Sequence, residues 1–275
     1  MRTRMLSWCL RDIDQREDED DPVIVLLHGA GASMHSWEPL LRAWSAPARM
    51  LVVDLPGHGG STSFNAGGYT LVRTAQALND LLHELSCQPT AVVGHSAGGA
   101  VAMQWRLQQQ APTIASILTI NPALLPFNGI AGLAFPLLAR LAATAPLLGQ
   151  VLAARANNTR AIMRLIEGTG SKIDASQIDG YQRLMRKPQH VRQVFAMMAG
   201  WQLDDLLPAW QARELPLFVL LAERDRAVPP QRTRQAVQAL AHVEMTSLPN
   251  AGHLAHEELP HRCAQWILQC LSASS

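Results

Sequence analysis

Ser96, Asp225 and His253 are the residues whose types and order could do chemistry. A serine hydroxyl is a weak nucleophile until a base takes its proton, and the base in turn needs an acid to orient it. Ser96 stands in Gly94-His95-Ser96-Ala97-Gly98, directly after the apolar run Ala91-Val92-Val93. Small residues on both sides of a serine suit a sharp turn that pushes its Oγ out of the fold. Asp225 follows the run Leu217–Leu221 within Glu223-Arg224-Asp225-Arg226-Ala227-Val228-Pro229-Pro230, and His253 follows Val243–Leu248 within Pro249-Asn250-Ala251-Gly252-His253-Leu254. All three sit just past a strand-like run, so one sheet edge could gather them. The expected chemistry is acyl transfer: attack of Ser96 on a carbonyl, then hydrolysis of the acyl-enzyme by water that His253 activates. A serine, unlike an attacking carboxylate, disfavours dehalogenase or epoxide-hydrolase chemistry.

The oxyanion should be met by two backbone N–H groups, those of Ala97 and of Ala30 in His28-Gly29-Ala30-Gly31. Glu223 is the fallback for the acid. Asp54 precedes Ser96 and is expected to shape its own loop, and Asn121 cannot act as a carboxylate. His28 and His95 flank the site and are expected to serve loop hydrogen bonding and packing, while His256 and His261 read as ordinary polar residues at a helix start. No metal-ligand spacing such as His-Glu-x-x-His occurs, and no cofactor is implied.

These residues need elements to hold them. Val23–Leu27, Met50–Val53, Ala91–Val93, Ile114–Ile120 and Leu217–Leu221 are continuous apolar runs, the pattern of parallel strands buried on both faces. Val243–Leu248 is a last strand. Helical periods fill the gaps: a start near Ser36-Trp37, then Tyr69–Leu85, Gly98–Gln110 and Glu257–Leu271. Met5–Leu10 reads as a weak edge strand, and the acidic stretch over residues 11–21 as a solvated loop. Strand and helix alternate, which argues for an α/β fold with a mostly parallel sheet covered on both faces.

The alternation stops between Asn121 and about Arg213, where the pattern is helical and interrupted by Pro126, Pro136, Pro146 and Pro188. The expected division is therefore a core of 1–122 and 214–275 with a helical cap of 123–213. A cap belongs over the C-terminal ends of the strands, where such sheets bind ligands. Gly129–Leu152 is strongly apolar with Arg140 its only charge. Prolines, glycines and that arginine argue against a transmembrane span. Packing onto the core is the first reading of this run; a lipophilic pocket lining or contact with a membrane surface is the second.

Of 275 residues, 48% are hydrophobic and 16% charged, with net charge +1. A chain this close to neutral recommends no nucleic-acid partner. Four scattered cysteines without a Cys-x-x-Cys pair read as free thiols, and no signal-type apolar segment opens the chain, so a cytoplasmic protein is expected, with peripheral membrane contact left open.

Across the chain, His28-Gly29, Asp54-Leu55-Pro56-Gly57-His58-Gly59, Gly94-His95-Ser96-Ala97-Gly98, Asp225 and Gly252-His253 resemble the α/β-hydrolase superfamily. The order Ser, Asp, His is the order of that fold. Four further segments carry a narrower resemblance: Leu118–Phe127, Leu165–Ser171, Met197-Met198-Ala199-Gly200-Trp201 and Gly252–Glu258. They are similar to magnesium-chelatase accessory hydrolases encoded with bacteriochlorophyll biosynthesis in phototrophic bacteria. That resemblance implies a role near magnesium insertion into a tetrapyrrole, with a lipophilic substrate and an association with magnesium chelatase. It implies no settled reaction. Non-catalytic porphyrin binding and C–C bond hydrolysis stay open beside ester hydrolysis. The short acidic N-terminus departs from the subfamily, and no function is assigned to it.

Overall fold

A computed structural model describes residues 1–3, 6–64, 68–109, 115–126, 150 and 154–274. Seven strands form one sheet in the order β1-β3-β2-β4-β5-β6-β7: β1 (Leu10–Asp14), β2 (Val23–Leu27), β3 (Arg49–Val53), β4 (Ala91–His95), β5 (Ser116–Ile120), β6 (Leu217–Ala222) and β7 (Val243–Leu248). Only β1 runs antiparallel to its neighbour; the other pairings are parallel.

The continuous apolar runs earn their burial by alternation. Val25, Leu27, Leu51, Val53, Val92, Ile117, Val219 and Leu221 face one core. Ile24, Leu26, Met50, Val52, Val93, Leu118, Ile120 and Leu220 face the other. Each such side chain contributes about 1.5–3 kcal/mol when withdrawn from water. On the first face lie α2 (Leu71–Glu84) and α3 (Ala97–Gln108). On the second lie α1 (Glu38–Ala43) and, near the C-terminus, a helix over Pro260–Ser274. Thr70 caps α2 by accepting the Arg73 N–H at 3.1 Å.

Between β5 and β6 the described residues hold helices and no strand: α4 (Thr159–Gly168), α5 (Ala175–Met185), α6 (Pro188–Gly200) and α7 (Leu206–Ala212). The apolar stretch Gly129–Leu152 lies outside the described residues apart from Gln150. Pro188 does not interrupt a helix but opens one, at the first helical position, where its missing N–H costs nothing. The same rule gives α8 (Pro230–Val237), which the periodicity did not suggest.

Two other expectations are corrected. The edge strand is not Met5–Leu10 but Leu10–Asp14, inside the acidic stretch. An edge strand is wet on one side, so charge is tolerated there: Arg49 of β3 holds Asp12 through two hydrogen bonds of 2.7 and 2.9 Å. The closing helix is not continuous from Glu257. α9 (Ala255–Glu258) ends at Leu259, and α10 (Pro260–Ser274) starts anew on its proline.

Candidate active site

Ser96 links β4 to α3 at φ 51° and ψ −115°, a left-handed conformation that a non-glycine residue holds only under constraint. The constraint is visible in its backbone. Its N–H donates to Ile120 O at 3.0 Å, and its carbonyl accepts from Gly99 N at 3.0 Å and Ala123 N at 3.1 Å. Glycine is required on both sides, since a Cβ on Gly94 would strike the Gly98 carbonyl, and one on Gly98 would strike the carbonyls of Leu27 and His28. Strand β4, helix α3 and strand β2 can therefore approach each other only at glycines.

Asp225 lies in the loop after β6 with its side chain wholly buried. Oδ1 accepts the N–H groups of Ala227 and Val228, each at 2.8 Å. Oδ2 accepts His253 Nδ1–H at 2.7 Å. That bond leaves Nε2 of His253 free to act on a proton from the opposite side of the ring. No hydrogen bond joins His253 Nε2 to Ser96 Oγ in the structure; such bonds are often long in unliganded sites and tighten on binding. Glu223, the fallback acid, is turned away and paired with Arg234 at 2.9 Å. Asp54 shapes its loop as expected, accepting Met34 N at 2.7 Å and Gly60 N at 2.8 Å, with its pKa raised by burial.

Ala97 is the first residue of α3, and Ala30 lies exposed in the loop after β2. Neither N–H has a hydrogen-bond partner among the described residues. Ala97 N–H also sits at the positive end of a helix, where an anion is favoured. The loop carrying Ala30 is braced by histidines. Leu55 N–H donates to His28 Nε2 at 3.0 Å, so Nδ1 bears the proton and donates to Gly29 O at 2.8 Å. His190 of α6 reaches Gly31 O at 3.3 Å. Burial lowers the pKa of both, that of His190 to about 4, which keeps these rings neutral donors.

His95 Nε2–H donates to the His253 carbonyl at 2.9 Å, again at a depressed pKa. His256 is not a polar helix-start residue. It is fully buried, with ring centroids 4.5 Å from Trp37 and 4.4 Å from His95, and its pKa is lowered to about 3 by burial. Residue type alone misplaces it, because its burial comes from tertiary packing of α9 against the loop after β2.

One contributor went unread in the sequence. Asn121, dismissed there because it is no carboxylate, joins three elements. Its N–H donates to Leu220 O at 2.9 Å, and its Oδ1 accepts Ala222 N–H at 2.7 Å. Its Nδ2 donates to the carbonyls of His253 at 2.9 Å and Gly252 at 3.2 Å. A short amide side chain at a strand end, before a proline, was the available signal. Among the described residues no group of three or more His, Cys, Asp or Glu could hold a metal ion.

With this geometry in hand, residues 24–266 match the model of the alpha/beta hydrolase family. The chain belongs to the alpha/beta hydrolase family. It is 38% identical to the magnesium-chelatase 30 kDa subunit of Rhodobacter capsulatus over 92% of this chain and 87% of that protein. It is 26% identical to a 2-succinyl-6-hydroxy-2,4-cyclohexadiene-1-carboxylate synthase of Salmonella heidelberg, over 91% of this chain and 94% of that protein. Among solved structures, a thermophilic esterase from Thermogutta terrifontis superposes with a TM-score of 0.72 at 20% identity, over 98% of this chain and 94% of the esterase. An α/β-hydrolase-fold protein from Burkholderia ambifaria superposes with a TM-score of 0.74 at 20% identity, over 96% and 93%. No helix among the described residues is long and apolar enough to cross a membrane.

Proposed function

We propose that this chain is a serine hydrolase that cleaves an ester of a lipophilic molecule through an acyl-enzyme. The observation that carries the reading is Ser96 held at a strained turn at the mouth of α3, with a buried His253–Asp225 pair bonded at 2.7 Å on the neighbouring loops. In the proposed cycle His253 Nε2 takes the Ser96 proton as Oγ attacks the ester carbonyl. The N–H groups of Ala30 and Ala97 receive the oxyanion. The intermediate collapses, and the imidazolium returns its proton to the leaving alcohol. Water, deprotonated by His253, then releases the acid and frees Ser96. Asp225 holds the Nδ1–H tautomer and stabilises the imidazolium throughout.

In this reading residues 1–122 and 214–275 form the catalytic core, and 123–213 a cap that selects the substrate. The apolar composition of 129–152 supports a lipophilic substrate. The relative named for magnesium chelatase supports a tetrapyrrole and an association with that enzyme. An alkyl fluorophosphonate should label Ser96 and spare Ser96→Ala. Folded wild-type protein that fails to react would falsify the nucleophile.

That same relative, named as a subunit, favours a second reading, a non-catalytic porphyrin-holding accessory protein. The two separate in a deletion strain. Full rescue of pigment synthesis by Ser96→Ala supports the accessory role, whereas loss of rescue with accumulation of an esterified precursor supports the hydrolase.

A further inference from the structure

Two of the segments singled out by the narrower resemblance, Leu165–Ser171 and Gly252–Glu258, dock on one another. The turn that ends α4 enters a slot between the loop of Asp225 and the loop of His253. The Thr169 carbonyl accepts two N–H groups, that of Arg226 at 3.0 Å and that of His253 itself at 3.4 Å. The wholly buried Ser171 accepts Leu254 N–H on its Oγ at 2.9 Å, and its hydroxyl donates at 3.0 Å to Thr169 Oγ1, whose own proton goes to Ile166 O at 2.6 Å. Glu258 closes the slot from the far side, with one carboxylate oxygen on Gly252 N at 2.8 Å and the other on Lys172 N at 3.1 Å. The fit leaves no room at its centre. Gly170 has φ 86°, and a Cβ there would strike the Arg224 carbonyl; a Cβ on Gly252 would strike the backbone of Gly170 and Ser171.

The residues held are the one after the acid, the base and the one after the base. We infer that the turn Thr169-Gly170-Ser171 is a positioning device for the Asp225–His253 pair, so that the acid–base pair is set only while this turn at the end of α4 is docked. This rests on the serine-hydrolase reading and extends it: the inserted helices would govern the reactivity of Ser96 as well as access to it. A misplacement near 1 Å is enough for an effect on the order of 100-fold on a positioned reaction.

The test compares wild type with Gly170→Ala, Ser171→Ala and, as a control on the exposed face of α4, Arg164→Ala. Three quantities are read: the rate constant for inactivation by diisopropyl fluorophosphate, kcat and KM on a p-nitrophenyl ester, and the low-field proton resonance of the His253–Asp225 hydrogen bond. Gly170→Ala should lower the inactivation rate and kcat by about 10- to 100-fold with KM little changed, and should shift or broaden the resonance. Ser171→Ala should do the same to a smaller degree and carries the test if Gly170→Ala does not fold; Arg164→Ala should match wild type in all three. Folded Gly170→Ala or Ser171→Ala with a wild-type inactivation rate and an unmoved resonance overturns the inference. If wild type itself resists the reagent, the serine-hydrolase reading fails separately, and the resonance alone decides: moved in the two variants it upholds the positioning role, unmoved it overturns it.

Discussion

Replacing Asn121 should cost far more than its small side chain suggests. Asn121→Ala orphans the buried Ala222 N–H, now bonded at 2.7 Å, and strips the donor from the carbonyls of Gly252 and His253. An unmet buried donor costs about 1–3 kcal/mol, and each lost net hydrogen bond about 1 kcal/mol. Position 121 also sits at φ 47°, a conformation asparagine tolerates better than alanine does. Together these give a loss of about 3 kcal/mol, measurable by urea unfolding followed through tryptophan fluorescence. Asn121→Asp separates the terms. It keeps the acceptor for Ala222 and the backbone preference, but turns a carboxyl toward two carbonyl oxygens. Protonated, that carboxyl still donates to one of them; ionised, it repels both. Its folded pKa should therefore exceed its unfolded value, so its stability deficit should grow as pH rises, whereas the deficit of Asn121→Ala should hold level. A deficit below about 1 kcal/mol for Asn121→Ala, or parallel pH curves for the two variants, would refute this account of the knot.

Other outcomes follow from single observations. Burial pushes the Glu257 carboxyl up to about 8, although Tyr181 OH donates to it at 2.5 Å. Its folded pKa lies above the unfolded value, so it contributes fully below about pH 4.5 and its contribution is lost as pH rises through 8, by at most about 5 kcal/mol; thermal melts of Glu257→Gln should lose that slope. Ser96→Gly should abolish fluorophosphonate labelling while raising the melting temperature by a few degrees, because glycine relieves backbone strain of about 1–3 kcal/mol, and Ser96→Ala should bring no such gain. Gly98→Ala drives a Cβ into the backbone of Leu27 and His28 and should destabilise by more than about 3 kcal/mol, seen as a lowered urea midpoint or as insoluble protein.

The inner strands were legible because burial on both faces leaves one composition possible: Val25, Val92 and Val219 could not sit in water-facing runs. Asp225 could be placed for a related reason, since it follows the fully buried run of β6, whereas His253 follows the largely exposed edge strand β7 and was read from the order Ser, Asp, His. β1 was misplaced because an edge strand shares its charge pattern with a loop, and its ladder with β3, reinforced by Asp12 on Arg49, is what distinguishes them. His256 was misread because nothing local announces that Trp37 and His95 will cover it. The turn at Thr169 has the local look of any helix end. Its significance lies in the carbonyl it offers to Arg226 and His253, which are distant in sequence.

The long connection between β5 and β6 also sets an order of folding. β2 to β5 are complete once Ile120 is made, yet β5, buried along its full length in the finished fold, has its β6 partner only from Leu217 onward. Until then its outer edge offers unpaired N–H and C=O groups on an apolar strand, a template for intermolecular pairing. Closing so long a connection adds only about 0.6 kcal/mol per doubling of its length, so the burden falls on rate and not on final stability. Refolding yield should therefore fall with protein concentration, and a helical segment that docks early would shield the waiting edge.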